Sequence, residues 1–138
     1  MGESDYRYTS GGGNTGKCDT AAASKVPKAK ISSWSQVSKS KDQEGNIQTA
    51  LLASGPITIG INAGHMQTYR SGVDNPLICL AAMTDHAVLI TGYGTDGGKG
   101  YWKIKNSWNT DWGEDGFYRV KRGSNVCGLA NDAVHSVV

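Results

Sequence analysis

The stretch His86-Ala87-Val88-Leu89-Ile90-Thr91-Gly92-Tyr93-Gly94-Thr95-Asp96-Gly97-Gly98-Lys99-Gly100-Tyr101-Trp102-Lys103-Ile104-Lys105-Asn106-Ser107-Trp108 decides the fold. An apolar run from His86 to Thr91 reaches a turn cluster over Gly94 to Gly98, and an alternating run from Tyr101 to Lys105 leaves it. Two β-patterned runs about a glycine-rich turn predict an antiparallel hairpin. If Tyr93 faces Lys99, seven steps back along one strand and seven on along the other set His86 directly opposite Asn106. Opposed residues share one face with their Cβ atoms about 5 Å apart, and a slip of one residue would put them on opposite faces. Trp102, Ile104 and Asn106 alternate onto the buried side. An asparagine carbonyl beside a histidine accepts from one ring N–H, fixes the tautomer and leaves the other nitrogen for a nucleophile. Trp108 and Trp112 can roof that hydrogen bond against water. A core histidine satisfied by its neighbour would look the same, so the pair alone leaves both readings open.

Gly92-Tyr93-Gly94-Thr95-Asp96-Gly97 also matches G-x-G-x-x-G. A dinucleotide site needs a helix to open there, because the helix N-terminus holds the pyrophosphate. Here the glycines lead into another strand, so they read as a hairpin turn.

Outward from the hairpin, residues 43–54 predict a helix. Ile47 and Leu51 lie four apart with Ala50 between, Asp42 is the expected N-cap, and Gly55-Pro56 stops it. Ile57, Ile59 and Ile61 alternate with Thr58, Gly60 and Asn62, a half-buried strand. Residues 63–84 are irregular. Gly116 to Val120 and Ala133 to Val138 complete the strands, with a short one expected from Ala29 to Ile31. Residues 1–25, with Gly11-Gly12-Gly13 between two tyrosines and Cys18, read as a surface loop. One helix and several antiparallel strands suit an open barrel or meander.

At 138 residues the chain has the length of one domain, and 19 glycines make it turn-rich. A net charge of +2 argues against a nucleic-acid binder, no run approaches a membrane span, and no cluster has metal-ligand spacing. The N-terminal residues lack a signal-peptide pattern. His65 and His135 are expected to be surface or structural. Three cysteines is an odd number, which implies a free thiol or a partner elsewhere.

The words Asp85-His86-Ala87-Val88, Gly92-Tyr93-Gly94, Tyr101 to Trp108, and Trp112-Gly113-Glu114-Asp115-Gly116-Phe117-Tyr118 closely resemble the papain-like cysteine proteases, in the cathepsin L and plant papain branch. Asp5-Tyr6-Arg7-Tyr8, Gly55 to Ile61, Tyr69-Arg70-Ser71-Gly72-Val73 and Cys127-Gly128-Leu129-Ala130 fit the same family in the same order. The resemblance implies an α+β papain-like fold: a right-hand antiparallel β-barrel domain with one preceding helix over residues 31–138, and a left-domain remnant with its crossover over 1–30. It implies a Cys-His-Asn endopeptidase, with His86 as the imidazole paired to the thiolate and Asn106 as its orienter. Trp108 would shield that contact and Trp112 support it. Backbone at Asp85 would bond the substrate main chain. The pocket for the residue two before the scissile bond would be walled by Gly60, Ala63, Thr84 and Ala87 and floored near Asp132, where an acid extends tolerance to basic or polar side chains. Cys79 and Cys127 resemble the disulfide of the right-hand domain, and Cys18 one whose partner lies upstream.

The family's nucleophile sits in C-G-[SA]-C-[WY], about 130 residues or more before the histidine, and no such motif occurs here. Cys18, in a polar loop, lacks that context, as does any Ser or Thr, and the oxyanion-hole glutamine that precedes the cysteine is missing too. The expectation is a C-terminal half or heavy chain, inactive alone, that needs a cysteine-bearing N-terminal segment. The competing reading is a non-catalytic truncated homologue that binds peptides or proteins; a pseudoprotease subunit is a third. The resemblance further implies peptide or protein substrates, propeptide or cystatin-like inhibitors, no cofactor, and a lysosomal, vacuolar or extracellular location.

Overall fold

The computed structural model describes residues 4–10, 12–23 and 29–138. The readings made for Met1, Gly11 and the stretch 24–28 lie outside them. The chain forms two compact units, Met1–Ser33 with Val137–Val138, and Trp34–Ser136. In the first, a short helix α1 (Thr20–Ala23) follows a loop in which the Asp19 amide donates to the Tyr6 hydroxyl at 2.9 Å.

The second unit is built on helix α2 (Glu44–Ser54) and strands β1 (Ser33–Ser38), β2 (Ile57–Ile61), β3 (His86–Asp96), β4 (Lys99–Lys105), β5 (Phe117–Lys121) and β6 (Ala133–Val137). The sheet order is β1-β6-β2-β3-β4-β5, so the chain's last strand enters between its first two. The β2–β3, β2–β6, β3–β4 and β4–β5 ladders are antiparallel. Ile57, Ile59 and Ile61 of β2 and Trp102 and Ile104 of β4 are buried with Ile47, Met66, Tyr118 and Leu129. Each such side chain removes enough apolar surface to contribute roughly 1.5–3 kcal/mol.

Three local expectations give way. The strand expected from Ala29 to Ile31 begins only at Ser33. Asp42 does not cap the helix: it lies in a 3-10 turn, Lys41–Gln43, that runs into α2, whose first residue Glu44 is buried. The hairpin turn is Gly97-Gly98 alone, because β3 continues to Asp96 and pairs it with Lys99. Both turn glycines have positive φ, 54° and 79°, the geometry a two-residue hairpin demands.

Glu44 answers a need that the sequence does not announce. Its Oε1 accepts from Trp102 Nε1 at 2.8 Å and from the Gly123 amide at 2.7 Å, and its Oε2 accepts from the Asn125 amide at 2.7 Å. A buried carboxylate persists when such donors replace its water, and here they tie α2 to β4 and to the loop after β5.

Candidate active site

The register of β3 on β4 places the two central side chains. Near the turn Tyr93 faces Trp102; beyond it Ile90 faces Ile104, and the ladder slips by one residue between Ile90 and Gly92. Thr91 is the extra residue of a β-bulge. Without it, the one-residue shift would turn Ala87 and Leu89 toward the core and His86 away from Asn106. With it, Leu89 faces Lys105, and three further steps carry His86 opposite Trp108. Asn106 is thus the diagonal neighbour of His86 rather than its direct opposite, as the expected Tyr93–Lys99 pairing would have made it. Diagonal neighbours on one face remain within side-chain reach.

His86 Nε2 lies 2.8 Å from Asn106 Oδ1, and the same oxygen accepts from the Ser107 amide at 2.8 Å. With Asn106 Oδ1 as acceptor, Nε2 carries a proton and Nδ1 is the ring nitrogen left for chemistry. Asn106 is buried, and its Nδ2 has no acceptor among the described residues. An unmet buried donor costs about 1–3 kcal/mol, so the amide is held at a cost to stability. Trp108 stacks on the imidazole with centroids 5.1 Å apart and planes 26° apart. Trp112 meets Trp108 edge-on at 5.2 Å and donates its Nε1–H to Met66 O at 2.9 Å.

The indole layer rests on a clamp that the sequence did not reveal. Arg119 donates Nε to Glu114 Oε2 at 2.7 Å, one amino group to Glu114 Oε1 at 2.8 Å, and the other to Asp96 Oδ2 at 2.7 Å. Glu114 Oε1 also accepts from the Gly72 amide at 2.8 Å. The hydrogen bonds from Arg119 hold the Glu114 carboxyl below its ordinary range, and those to Glu114 and then Asp96 push the guanidinium further up. Tyr69 packs at 5.7 Å from Trp112 and donates its hydroxyl to Gly72 O at 2.7 Å; burial, foremost, raises its pKa. Burial also raises Tyr118, whose hydroxyl donates to Asp74 Oδ2 at 2.7 Å.

The expected pocket residues gather around Gly60. Gly60 pairs with Ala87 across the β2–β3 ladder, an added Cβ on it would touch Thr84 at 3.7 Å, and its amide donates to Asp132 O at 3.0 Å. Asp85 accepts from the Ala63 amide at 2.8 Å and donates its own amide to Ile61 O at 3.2 Å. The Asp132 side chain is exposed and accepts from Gln36 Nε2 of β1 at 3.0 Å. No pattern in the sequence singles out Gln36.

Cys79 and Cys127 form a disulfide, and Cys18, in the other unit, is exposed and free. Among the described residues no group of three or more His, Cys, Asp or Glu side chains could hold a metal ion, and no helix is long and apolar enough to cross a membrane.

The profile of the papain family cysteine proteases matches residues 1–137. The chain belongs to the papain family of cysteine proteases. It is 45% identical over 137 residues to cysteine proteinase 1 of Zea mays, covering 92% of this chain and 34% of that protein. To cathepsin F of Mus musculus it is 40% identical over 138 residues, covering 99% of this chain and 28% of that one. Among solved structures, digestive procathepsin L 3 of Tenebrio molitor larval midgut superposes with a TM-score of 0.81 at 30% identity, over 100% of this chain and 44% of that chain. The fold is therefore the α+β papain-like fold, and the chain spans about a third of the length of the curated papain-family relatives it matches. The family and the disulfide together point to a secretory, lysosomal or vacuolar compartment.

Proposed function

We propose that this chain supplies the histidine–asparagine half of a papain-family endopeptidase, and that the nucleophilic cysteine is carried by a segment outside these 138 residues. The observation that carries the reading is the 2.8 Å contact between His86 Nε2 and Asn106 Oδ1 beneath the Trp108 ring. It leaves Nδ1 for a thiol. In the proposed reaction that thiolate bonds to the substrate carbonyl carbon. The amide C–N bond breaks, and the proton on His86 Nδ1 leaves with the amine. In deacylation water gives a proton to His86 and its oxygen to the acyl carbon, and the thiolate departs. Asn106 holds the ring plane through both steps, while Trp108 keeps water from the hydrogen bond.

The finer assignments belong to this proposal. Residues 1–30 are the remnant and crossover of the left-hand domain, and residues 31–138 the right-hand one. Backbone at Asp85 binds the substrate main chain. Gly60, Ala63, Thr84 and Ala87 wall the pocket for the residue two before the scissile bond, and Asp132 borders its floor. The substrates are peptides or proteins, the inhibitors propeptide-like or cystatin-like, and the compartment lysosomal, vacuolar or extracellular.

The test mixes this chain with a peptide-aldehyde probe and a fluorogenic peptide, with and without a segment bearing C-G-[SA]-C-[WY]. Turnover is expected only with the segment, and His86→Ala abolishes it. Turnover or active-site labelling by the isolated chain would overturn the assignment of the nucleophile elsewhere. Binding of peptide without turnover in the combined sample, unchanged by His86→Ala, would favour the non-catalytic module.

A further inference from the structure

Asp132 ends the loop that leads into β6, and its backbone is held without help from its side chain. Its carbonyl accepts from the Gly60 amide at 3.0 Å, and the next residue, Ala133, faces Ile59 across the β2–β6 ladder. On the other side, Ala130 O accepts from Ser38 Oγ at 2.6 Å, the Ala130 amide donates to Asn125 Oδ1 at 2.9 Å, and Asn131 Nδ2 donates to Ala81 O at 2.8 Å. What remains to be fixed is the exposed Asp132 side chain. Gln36, half-buried in the edge strand β1, meets it. Gln36 Nε2 donates to Asp132 Oδ1 at 3.0 Å and lies 2.9 Å from Ser38 O and 3.2 Å from Ala133 O. All three neighbours are oxygens, so the side-chain amide can only present its NH2 group there. Among the described residues no donor meets Asp132 Oδ2, and no cation pairs with the carboxylate. A neutral donor thus orients this charge without cancelling it.

We infer that Gln36 is a positioning residue for substrate specificity. It aims the Asp132 carboxylate so that Oδ2 meets a cationic or hydrogen-bonding side chain two residues before the scissile bond. The inference rests on the pocket assignment proposed above, and supplies the reason that an exposed acid can discriminate there. A solvent-facing carboxylate that turns freely loses side-chain entropy when it takes a partner. Gln36 removes that freedom beforehand. Its other two contacts are main-chain oxygens of β1 and β6, so the sheet and not the loop sets the aim.

The test compares kcat/KM for an Arg and a Leu peptide in the combined enzyme. Gln36→Met keeps the side chain unbranched and removes the donor. It is expected to lower the Arg-to-Leu ratio about fivefold, through KM of the Arg peptide. Gln36→Lys sets a cation against Asp132 and is expected to lower the ratio further. On an Asp132→Ala background, Gln36→Met is expected to change nothing more. Ser38→Ala is the structural control, because it removes another β1 bond to the same loop without touching Asp132. It is expected to lower the melting temperature and leave the ratio within about twofold. A ratio that Asp132→Ala lowers but Gln36→Met does not would overturn the inference and leave the pocket assignment standing. A ratio that neither lowers would take down the pocket assignment, and this inference with it. An equal fall in Ser38→Ala would reduce Gln36 to a strand contact and overturn its positioning role. The contact itself is read without turnover, in a proton–nitrogen correlation spectrum of this chain. The Gln36 side-chain amide resonances are expected to move in Asp132→Ala, and resonances that stay in place would overturn the inference.

Discussion

At the scale of single residues, the two ends of the Asn106 amide differ in how well they are satisfied. Its Oδ1 serves His86 and the Ser107 amide while its buried Nδ2 goes unmet. Asn106→Ala therefore loses two accepted hydrogen bonds and one unpaired donor, and is expected to shift the folding free energy by no more than about 1 kcal/mol. In the proposed combined enzyme, where the reaction step puts a positive charge on the imidazole, the same change removes a charge-assisted hydrogen bond worth about 1.5–3 kcal/mol. That corresponds to about a 10- to 100-fold loss of kcat. Urea melts beside steady-state kinetics check the pair of outcomes, and a kcat loss explained wholly by unfolding would refute it. Asp132 gives a second prediction at this scale. Its carboxylate is exposed with Gln36 as partner, so under the proposed pocket assignment a basic substrate side chain would approach it without desolvating a buried charge. Asp132→Ala is expected to raise the Leu-over-Arg preference of the combined enzyme; an unchanged ratio of kcat/KM would count against this role.

At the scale of elements, α2 and strands β2 to β5 were legible because each buries one face and its apolar residues recur with the matching period. β1 was not: Ser33-Trp34-Ser35-Gln36-Val37-Ser38 is a polar edge strand whose Trp34 is exposed, and an edge strand needs no apolar alternation. The face shared by His86 and Asn106 was legible, but their register was not. Thr91-Gly92-Tyr93-Gly94 is poor in apolar markers, so neither the bulge at Thr91 nor the short Gly97-Gly98 turn leaves a parity signal. The clamp on the indole layer joins β5, the end of β3 at Asp96 and the loop at Gly72, so no sequence spacing reveals it. It has a pH signature. The folded Glu114 carboxyl titrates below its ordinary 4.5, chiefly through the hydrogen bonds from Arg119. Its contribution is therefore present above pH 4.5 and lost as pH falls through the lower folded value. Glu114→Gln is expected to cost about 1 kcal/mol at neutral pH. The difference in melting temperature from the parent should close as pH drops below 4.5. A gap that stays constant with pH would show that charge is not what the clamp supplies.

At the scale of the whole molecule, the approach to His86 is fixed by packing between distant parts of the chain. The segment 77–83 leads directly into Thr84, Asp85 and His86, yet exposes Leu77, Ile78, Leu80 and Met83 and contains no strand. Its order comes from the chain on its other side. Asn62 Nδ2 donates to Leu80 O at 3.1 Å, Asn131 Nδ2 donates to Ala81 O at 2.8 Å, and the Asn62 amide donates to Cys127 O at 2.9 Å. Gly128 lies so close to the Ala81 carbonyl that a Cβ would collide with it. The Cys79–Cys127 bridge locks this apposition across 48 residues. In the chain-entropy account, closing a loop of that length destabilises the unfolded chain by about 4 kcal/mol. The variant Cys79→Ser with Cys127→Ser is accordingly expected to lose about 4 kcal/mol of unfolding free energy in urea melts. Because the three asparagine contacts and the Gly128 approach remain, the variant that stays folded should keep the near-ultraviolet signature of Trp108 and Trp112. A loss near zero would mean that the polar contacts alone set the apposition. An altered indole signature at full folding would mean instead that the bridge, and not the packing around it, holds the ground from which His86 projects.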